Sequence, residues 1–195
     1  LPPLLTTPEI DDLHGILKDM VDAGIQNCAL EVSSIGIEQN RVGSIDFDTV
    51  IFTNLTHDHL DYHGTMENYF QAKKKLFDHV KPECFAITNA DDPYGMKMVK
   101  DCPGRIVTYQ VTRFQLLKDK TIFTLKVHGS EYELETNLVA RFNIYNLVAA
   151  LAALNCRGVP MEKMMAGIRT LKQIEGRMER IDEGQPFNII VDFAH

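Results

Sequence analysis

Short apolar runs alternate along this chain with segments of helical periodicity, and that alternation does most to limit the folds open to it. Residues 49–52, 84–88, 106–109 and 187–192 read as strands, and 28–32 is a further apolar run broken by Glu31. Between them, residues 8–23, 67–80, 91–101, 142–155 and 161–171 read as helices. In the first of these, Ile10, Leu13, Ile16, Leu17, Met20 and Val21 recur at helical spacing. Thr7 is placed to cap that helix with Pro8 at its first position, and Gly24 to end it. Strands separated by helices predict an α/β fold, with a mostly parallel sheet and helices on its faces. Residues 113–137 depart from this pattern. There Thr121-Ile-Phe-Thr-Leu-Lys-Val and Glu131-Tyr-Glu-Leu-Glu alternate around His128-Gly129-Ser130, which predicts a small antiparallel hairpin. Residues 176–186 are rich in charge and turn formers. The expected organisation is one domain over 1–175, then a linker and the first strand of another over 176–195.

Composition excludes several function classes. A net charge of −7 argues against a protein that coats nucleic acid. No apolar stretch approaches the roughly 18 residues of a membrane span. The four cysteines include no C-x-x-C pair, which argues against a cysteine zinc site. Cys28, Cys84 and Cys156 sit in apolar runs and read as buried free thiols in a reducing compartment. The chain opens on Leu1-Pro2-Pro3-Leu4-Leu5, without an initiator Met or the basic start of a signal peptide, and stops at Phe193-Ala194-His195. Both ends predict a piece of a longer protein.

In open α/β sheets, ligands bind beyond the carboxyl ends of the strands. Three runs here end in polar residues: Glu31 to Ser34, Thr53-Asn54, and Thr88 to Asp92. The densest polar cluster is Thr56-His57-Asp58-His59-Leu60-Asp61-Tyr62-His63. It reads as a hydrated loop with capping aspartates or as a metal site. A dinuclear zinc hydrolase would need H-x-H-x-D-H, whereas Tyr62 makes this H-x-H-x-D-x-H, and neither His79 nor His128 has a supporting motif. Lys73 is informative independently. With about 100° per residue, Met66, Tyr69, Phe70, Leu76, Phe77 and Val80 form one apolar stripe. Lys73 falls near its centre, while Lys74 and Lys75 project away. A lysine there either snorkels to the edge or is held inward for a task, facing His59 if the preceding loop folds back. Asn143 and Asn146 share a helical face, either capping the helix or meeting a ligand. Arg177 and Arg180 either clamp a phosphate or pair with acidic neighbours.

These residues resemble the Mur ligases, and specifically the MurE type. The matching runs occur in order along the chain: Thr6-Thr7-Pro8, Glu31-Val-Ser-Ser34, Phe52-Thr-Asn-Leu-Thr56, Asp58-His-Leu-Asp-Tyr-His-Gly64, Ala72-Lys73, Asn89-Ala-Asp-Asp92, Arg141-Phe-Asn-Ile-Tyr-Asn146, Gly176-Arg-Met-Glu-Arg180 and Val191-Asp-Phe-Ala-His195. The resemblance implies a P-loop-type ATP-binding middle domain. It also implies an ATP-dependent amide ligase that adds an amino acid to UDP-N-acetylmuramoyl-L-alanyl-D-glutamate in peptidoglycan synthesis, through an acyl phosphate. Implied with it are Mg²⁺, and a cytoplasmic monomer that binds neither nucleic acid nor membrane. Glu31 and His59 then resemble Mg²⁺ ligands, and Lys73 the lysine that the family carbamylates with CO₂. Thr6, Thr7, Ser33 and Arg41 resemble contacts to the sugar-peptide substrate. Asn143 and Asn146 resemble adenine contacts, Arg177 a phosphate contact and Asp192 a ribose contact. Asn89 and Asp91 would shape the same cleft. A folylpolyglutamate or cyanophycin synthetase relative, and a non-catalytic binding subunit, stand as alternatives. Three departures are visible. No Gly-Lys dipeptide is present, so the family's phosphate-binding loop is expected before Leu1 and the chain alone is expected to be inactive. Ile35 stands where His is usual. Ala140 stands where Gly is usual, a change of little consequence unless φ there is positive.

Overall fold

The computed structural model describes residues 5–117, 120–127 and 130–193. Their packing forms two compact units, one of residues 5–50, 54–86 and 94–106, the other of 51–53, 87–93 and 107–193.

The first unit begins with helix α1 (Ile10–Asp22). Gly24, at φ 75°, ends it: its N–H bonds Val21 O and the Ile25 N–H bonds Met20 O, each at 2.9 Å. That paired return satisfies carbonyls the helix leaves open, and it needs the left-handed conformation glycine takes freely. Thr7 does not cap α1. Glu9 holds the cap position without a side-chain bond. Thr7 is instead fully buried, and its hydroxyl donates to Glu31 O at 3.0 Å and accepts from Ser33 N at 2.8 Å. Residues 28–32 form no strand, having no ladder partner among the described residues, and Cys28 is exposed rather than buried. Cys84 is buried as expected.

Helix α2 (Ser34–Glu38) follows, capped by the Ser33 Oγ accepting from Gly36 N at 3.1 Å. Then come β1 (Thr49–Phe52), α3 (Leu60–His63), α4 (Met66–Asp78), β2 (Phe85–Asn89), α5 (Gly95–Met98) and β3 (Arg105–Tyr109). The three strands form one sheet in the order β1-β2-β3, parallel, with crossovers between neighbours. In β1 buried and more open residues alternate, whereas four of the five residues of central β2 are buried. The helix expected over 91–101 is reduced to α5. Asp91 donates its N–H to Asn89 Oδ1 at 3.0 Å, a turn that competes with helix at this point. In the first unit α4 packs against α2, α3 and α5. Tyr69, Phe70, Ala72 and Phe77 are the buried residues of that helix.

In the second unit β4 (Arg113–Leu116), β5 (Thr121–Val127) and β6 (Ser130–Thr136) form an antiparallel sheet. Phe123 sits between Phe114 and Leu134 in register and is buried. The expected hairpin is therefore present and gains a third strand, although His128 and Gly129 of its turn lie outside the described residues. Helix α6 (Arg141–Cys156) packs on β5, and α7 (Met161–Thr170) packs on β6 and α6. The expected last strand shortens to β8 (Ile189–Val191), which pairs antiparallel with β7 (Glu179–Ile181), a strand the turn-rich composition concealed. No helix among the described residues is long and apolar enough to cross a membrane.

Candidate active site

The first unit holds two linked groups of side chains. Around Thr7, Arg41 is 7% exposed and its guanidinium donates from Nη1 to Thr7 O at 2.8 Å. Its Nη2 meets Glu9 Oε1 at 3.0 Å and also the Gln39 side chain, while its Nε has no partner. The backbone packs closely here. A Cβ at Gly36 would lie 3.0 Å from Thr7 Cβ and Cγ2. Thr7, Ser33 and Arg41 are thus brought together with the Glu31 main chain. Thr6 is exposed nearby in sequence, and the Glu31 side chain is exposed as well. Ile35, in place of the family's usual His, is half-buried in α2.

The second group surrounds Tyr69. Lys73 lies one turn further along α4, and its Nζ sits over the Tyr69 ring, 5.2 Å from the centroid. His59 meets the same ring edge-on at 5.8 Å and 89°, and His63 stacks on it at 5.2 Å and 19°. Lys74 pairs with Asp78 and Lys75 with Glu38, but no carboxylate among the described residues lies within ion-pair distance of Lys73. Desolvation pushes the Lys73 amine below its ordinary pKa, opposed by the negative charges of Glu31 and Asp58. Of the two orientations open to Lys73, the structure takes the inward one. Burial likewise pushes the Tyr69 phenol up, to about 12.

His59 occupies the cap position of α3 with left-handed φ 52°. Its N–H donates to Asp58 Oδ1 at 2.8 Å, and its Nε2 lies 3.6 Å from Asp58 Oδ2. Two neighbours were not singled out from sequence. Asp58 braces His59 from both its main chain and its ring. His63 is buried, and its Nε2 hydrogen-bonds Ser34 Oγ at 2.8 Å. Burial lowers the His63 pKa, with Glu38 acting against that shift. The signal for both lay in the Asp58–His63 cluster, but the aromatic platform beneath it depends on the register of α4. The three histidines do not converge as a zinc triad. Among the described residues no three His, Cys, Asp or Glu side chains are grouped to hold a metal ion. Glu31 and His59 would therefore need a further donor. An ammonium at Lys73 repels a cation, whereas a carbamate there would present oxygen, the donor that Mg²⁺ prefers.

The second unit holds the residues expected on the nucleotide side. Asn143 is 1% exposed. Its Nδ2 donates to Val139 O at 2.8 Å and to Arg177 O at 3.4 Å, while its Oδ1 is buried without a partner. It lines a cavity of about 280 Å³ together with Lys172, Arg177, Arg180 and Asn188. An orphaned acceptor in a cavity edged by cations fits an anionic ligand that brings its own N–H group. Asp192 Oδ2 accepts from Met178 N at 2.8 Å. Asn146 is exposed, so the two asparagines differ in burial despite their spacing. Asn89 Nδ2 donates to Thr53 O at 2.8 Å, and Tyr145 donates to Asp91 Oδ2 at 2.8 Å. These bonds tie the polar ends of β1 and β2 to α6. At the start of α6, Ala140 adopts φ 75° and ψ 144°. The position does require a positive φ, so alanine is strained where glycine would not be.

The first unit thus sets an inward lysine beside a braced histidine, and the second holds a buried asparagine at a cation-edged cavity. The sequence matches the Mur ligase middle domain over residues 3–154. It is 38% identical over 205 residues to a UDP-N-acetylmuramoyl-L-alanyl-D-glutamate–2,6-diaminopimelate ligase of Geobacter metallireducens, covering 97% of this chain and 40% of that protein. A ligase of the same name from Clostridium perfringens is 41% identical over 204 residues, covering 97% of this chain and 41% of that protein. A solved structure of a ligase of that name superposes with a TM-score of 0.81 at 30% identity, over 94% of this chain and 40% of that one. The chain belongs to the Mur ligase family and is of the MurE type. It spans about 40% of the length of the curated relatives it matches.

Proposed function

We propose that this chain is the middle part of an ATP-dependent ligase that joins 2,6-diaminopimelate to UDP-N-acetylmuramoyl-L-alanyl-D-glutamate in peptidoglycan synthesis, acting as a cytoplasmic monomer. The observation that carries the reading is the match to ligases of that name along 97% of the chain. Residues 1–175 are then the ATP-binding domain, and 176–195 open the domain that follows. The separate two-stranded ladder of β7 and β8 is in keeping with that division.

In this reaction a carboxylate oxygen of the dipeptide displaces ADP from the γ-phosphorus of ATP, giving an acyl phosphate. The amine of the incoming amino acid adds to the acyl carbon, phosphate leaves with the bonding pair, and the nitrogen sheds a proton. Thr6, Thr7, Ser33 and Arg41 orient the sugar-peptide. Arg41 supports the Thr7 carbonyl and offers the substrate the side now held by Glu9, which is exposed. Asn143 Oδ1 accepts from the adenine amine, Asn146 lies alongside, Arg177 contacts phosphate and Asp192 the ribose. Desolvation keeps more of the Lys73 amine in its free-base form. That nitrogen adds its lone pair to the carbon of CO₂, one C=O pair moves onto oxygen, and the nitrogen loses a proton, leaving a carbamate. Glu31, His59 and carbamylated Lys73 would hold Mg²⁺, which supplies positive charge to the oxygens of the transferring phosphoryl group.

The test is ligation by the full-length protein with ATP and UDP-N-acetylmuramoyl-dipeptide, comparing diaminopimelate, lysine and, separately, folate with glutamate. ADP release with tripeptide product from diaminopimelate is expected. Turnover of folate alone would overturn the reading, and a preference for lysine would overturn the choice of amino acid.

A further inference from the structure

The turn over residues 174–178 carries Arg177, and it is held at three successive amides. The Arg177 N–H donates to Ile174 O at 3.0 Å, and Arg177 O accepts from the buried Asn143 Nδ2 at 3.4 Å. On either side, the Gly176 N–H donates to Glu179 Oε2 at 2.9 Å and the Met178 N–H to Asp192 Oδ2 at 2.8 Å. The second oxygen of Glu179 accepts from Gln173 Nε2 at 3.4 Å. Gly176 and Met178 both take left-handed backbone, at φ 66° and 51°. N–H groups exposed by such a turn attract anions, and here two of the chain's own carboxylates take them. A left-handed methionine persists only where its surroundings hold it, and these bonds do so.

Glu179 lies two residues from Arg177 and is half-buried, yet both of its oxygens serve the turn rather than the guanidinium. Arg180 pairs with Asp182 at 3.7 Å. Arg177 is exposed and has no carboxylate within ion-pair distance among the described residues. It lines the cavity in which Asn143 Oδ1 is buried without a partner. We infer that Glu179 is a positioning residue for nucleotide binding: by taking the Gly176 N–H it fixes the turn, and it leaves the Arg177 guanidinium unpaired for the phosphates of a nucleotide in that cavity. This rests on the reading of Arg177 as a phosphate contact. The carboxylate works as a hydrogen-bond acceptor and not through its charge, so glutamine should serve in its place.

The test is ADP binding to the full-length protein in the presence of Mg²⁺, measured by calorimetry. Arg177→Ala should raise the Kd at least about tenfold, the worth of one charge-assisted hydrogen bond. Glu179→Ala should raise it several-fold. The double variant should bind no more weakly than Arg177→Ala alone, because Glu179 acts through Arg177. Glu179→Gln should bind at least as tightly as wild type, since the acceptor is kept and a negative charge near the phosphates is gone. A Glu179→Ala loss that persists in full beside Arg177→Ala would reveal a general effect on the fold and overturn the inference. So would unchanged binding by Glu179→Ala, or a Glu179→Gln as weak as Glu179→Ala. An Arg177→Ala that binds ADP as wild type does sinks the phosphate reading of Arg177 itself, and the inference with it. One measurement needs no change at Glu179 and guards against misfolding of the alanine variant. In the wild-type protein the Gly176 amide proton should exchange slowly with solvent, with or without ADP. Exchange at the rate of an open loop would remove the brace.

Discussion

Helices α1 and α4 are each 13 residues long, and both are amphipathic, yet they use their apolar faces differently. On α4 the stripe is covered, and Phe77 is 2% exposed. On α1 only Leu13 is buried, while Ile16 is 48% and Val21 71% exposed. Periodicity therefore determines that a segment is helical and which of its faces is apolar. It does not determine whether anything lies against that face. The covered stripe is also the one that contains a cation. Lys73 is accommodated there with its amine over the Tyr69 ring and with the negative charges of Glu31 and Asp58 acting on it.

The largest effect that would separate the two helices is catalytic. Lys73→Ala in the full-length protein should lower ligation by at least about a thousand-fold, with no rescue by bicarbonate, because no amine remains to take up CO₂. Near-normal turnover would reduce α4 to a structural helix like α1. Next, Phe77→Ala should lower stability to urea by about 3–5 kcal/mol through lost burial and a cavity. A third test concerns pH. The folded-state pKa of Lys73 lies below its unfolded value, so the folded state binds the proton less readily. The penalty is full below the folded pKa, shrinks as pH rises between the two values, and is gone above the unfolded one. Lys73→Met should therefore stabilise the protein most near neutral pH and progressively less towards pH 10.5, the ordinary lysine value. A stability difference that stays flat with pH would show that the amine is not desolvated. The smallest effect belongs to α1: Val21→Ser should cost less than about 1 kcal/mol. A loss equal to that at Phe77 would show the face to be covered in the full-length protein.

Much of this was legible from sequence because it follows from short-range periodicity. Helices α1, α4, α6 and α7, the strands of the parallel sheet and the hairpin follow from it, and the Gly24 stop follows from chain-end chemistry, whereas periodicity allows Lys73 either to turn inward or to snorkel. Residues 28–32 misled because an apolar run becomes a strand only with a neighbour to bond. Thr7 misled because its position suits a cap, but its hydroxyl is taken by a chain segment 24 residues away. Burial also separates Asn143 from Asn146, which spacing does not show. Spacing puts both on one side of α6, but only Asn143 is enclosed by residues beyond position 170. The strain at Ala140 was conditional on a dihedral angle that no pattern of side chains reveals, and a non-glycine residue in that region carries about 1–3 kcal/mol.

On the proposed adenine contact, the lone acceptor of Asn143 bears on the choice of nucleotide. A purine with an amino group at its sixth position brings a hydrogen to that oxygen. One with a carbonyl at the same position would set two lone pairs against each other at a buried oxygen. GTP should therefore be a poor substitute for ATP, even though its phosphates are identical.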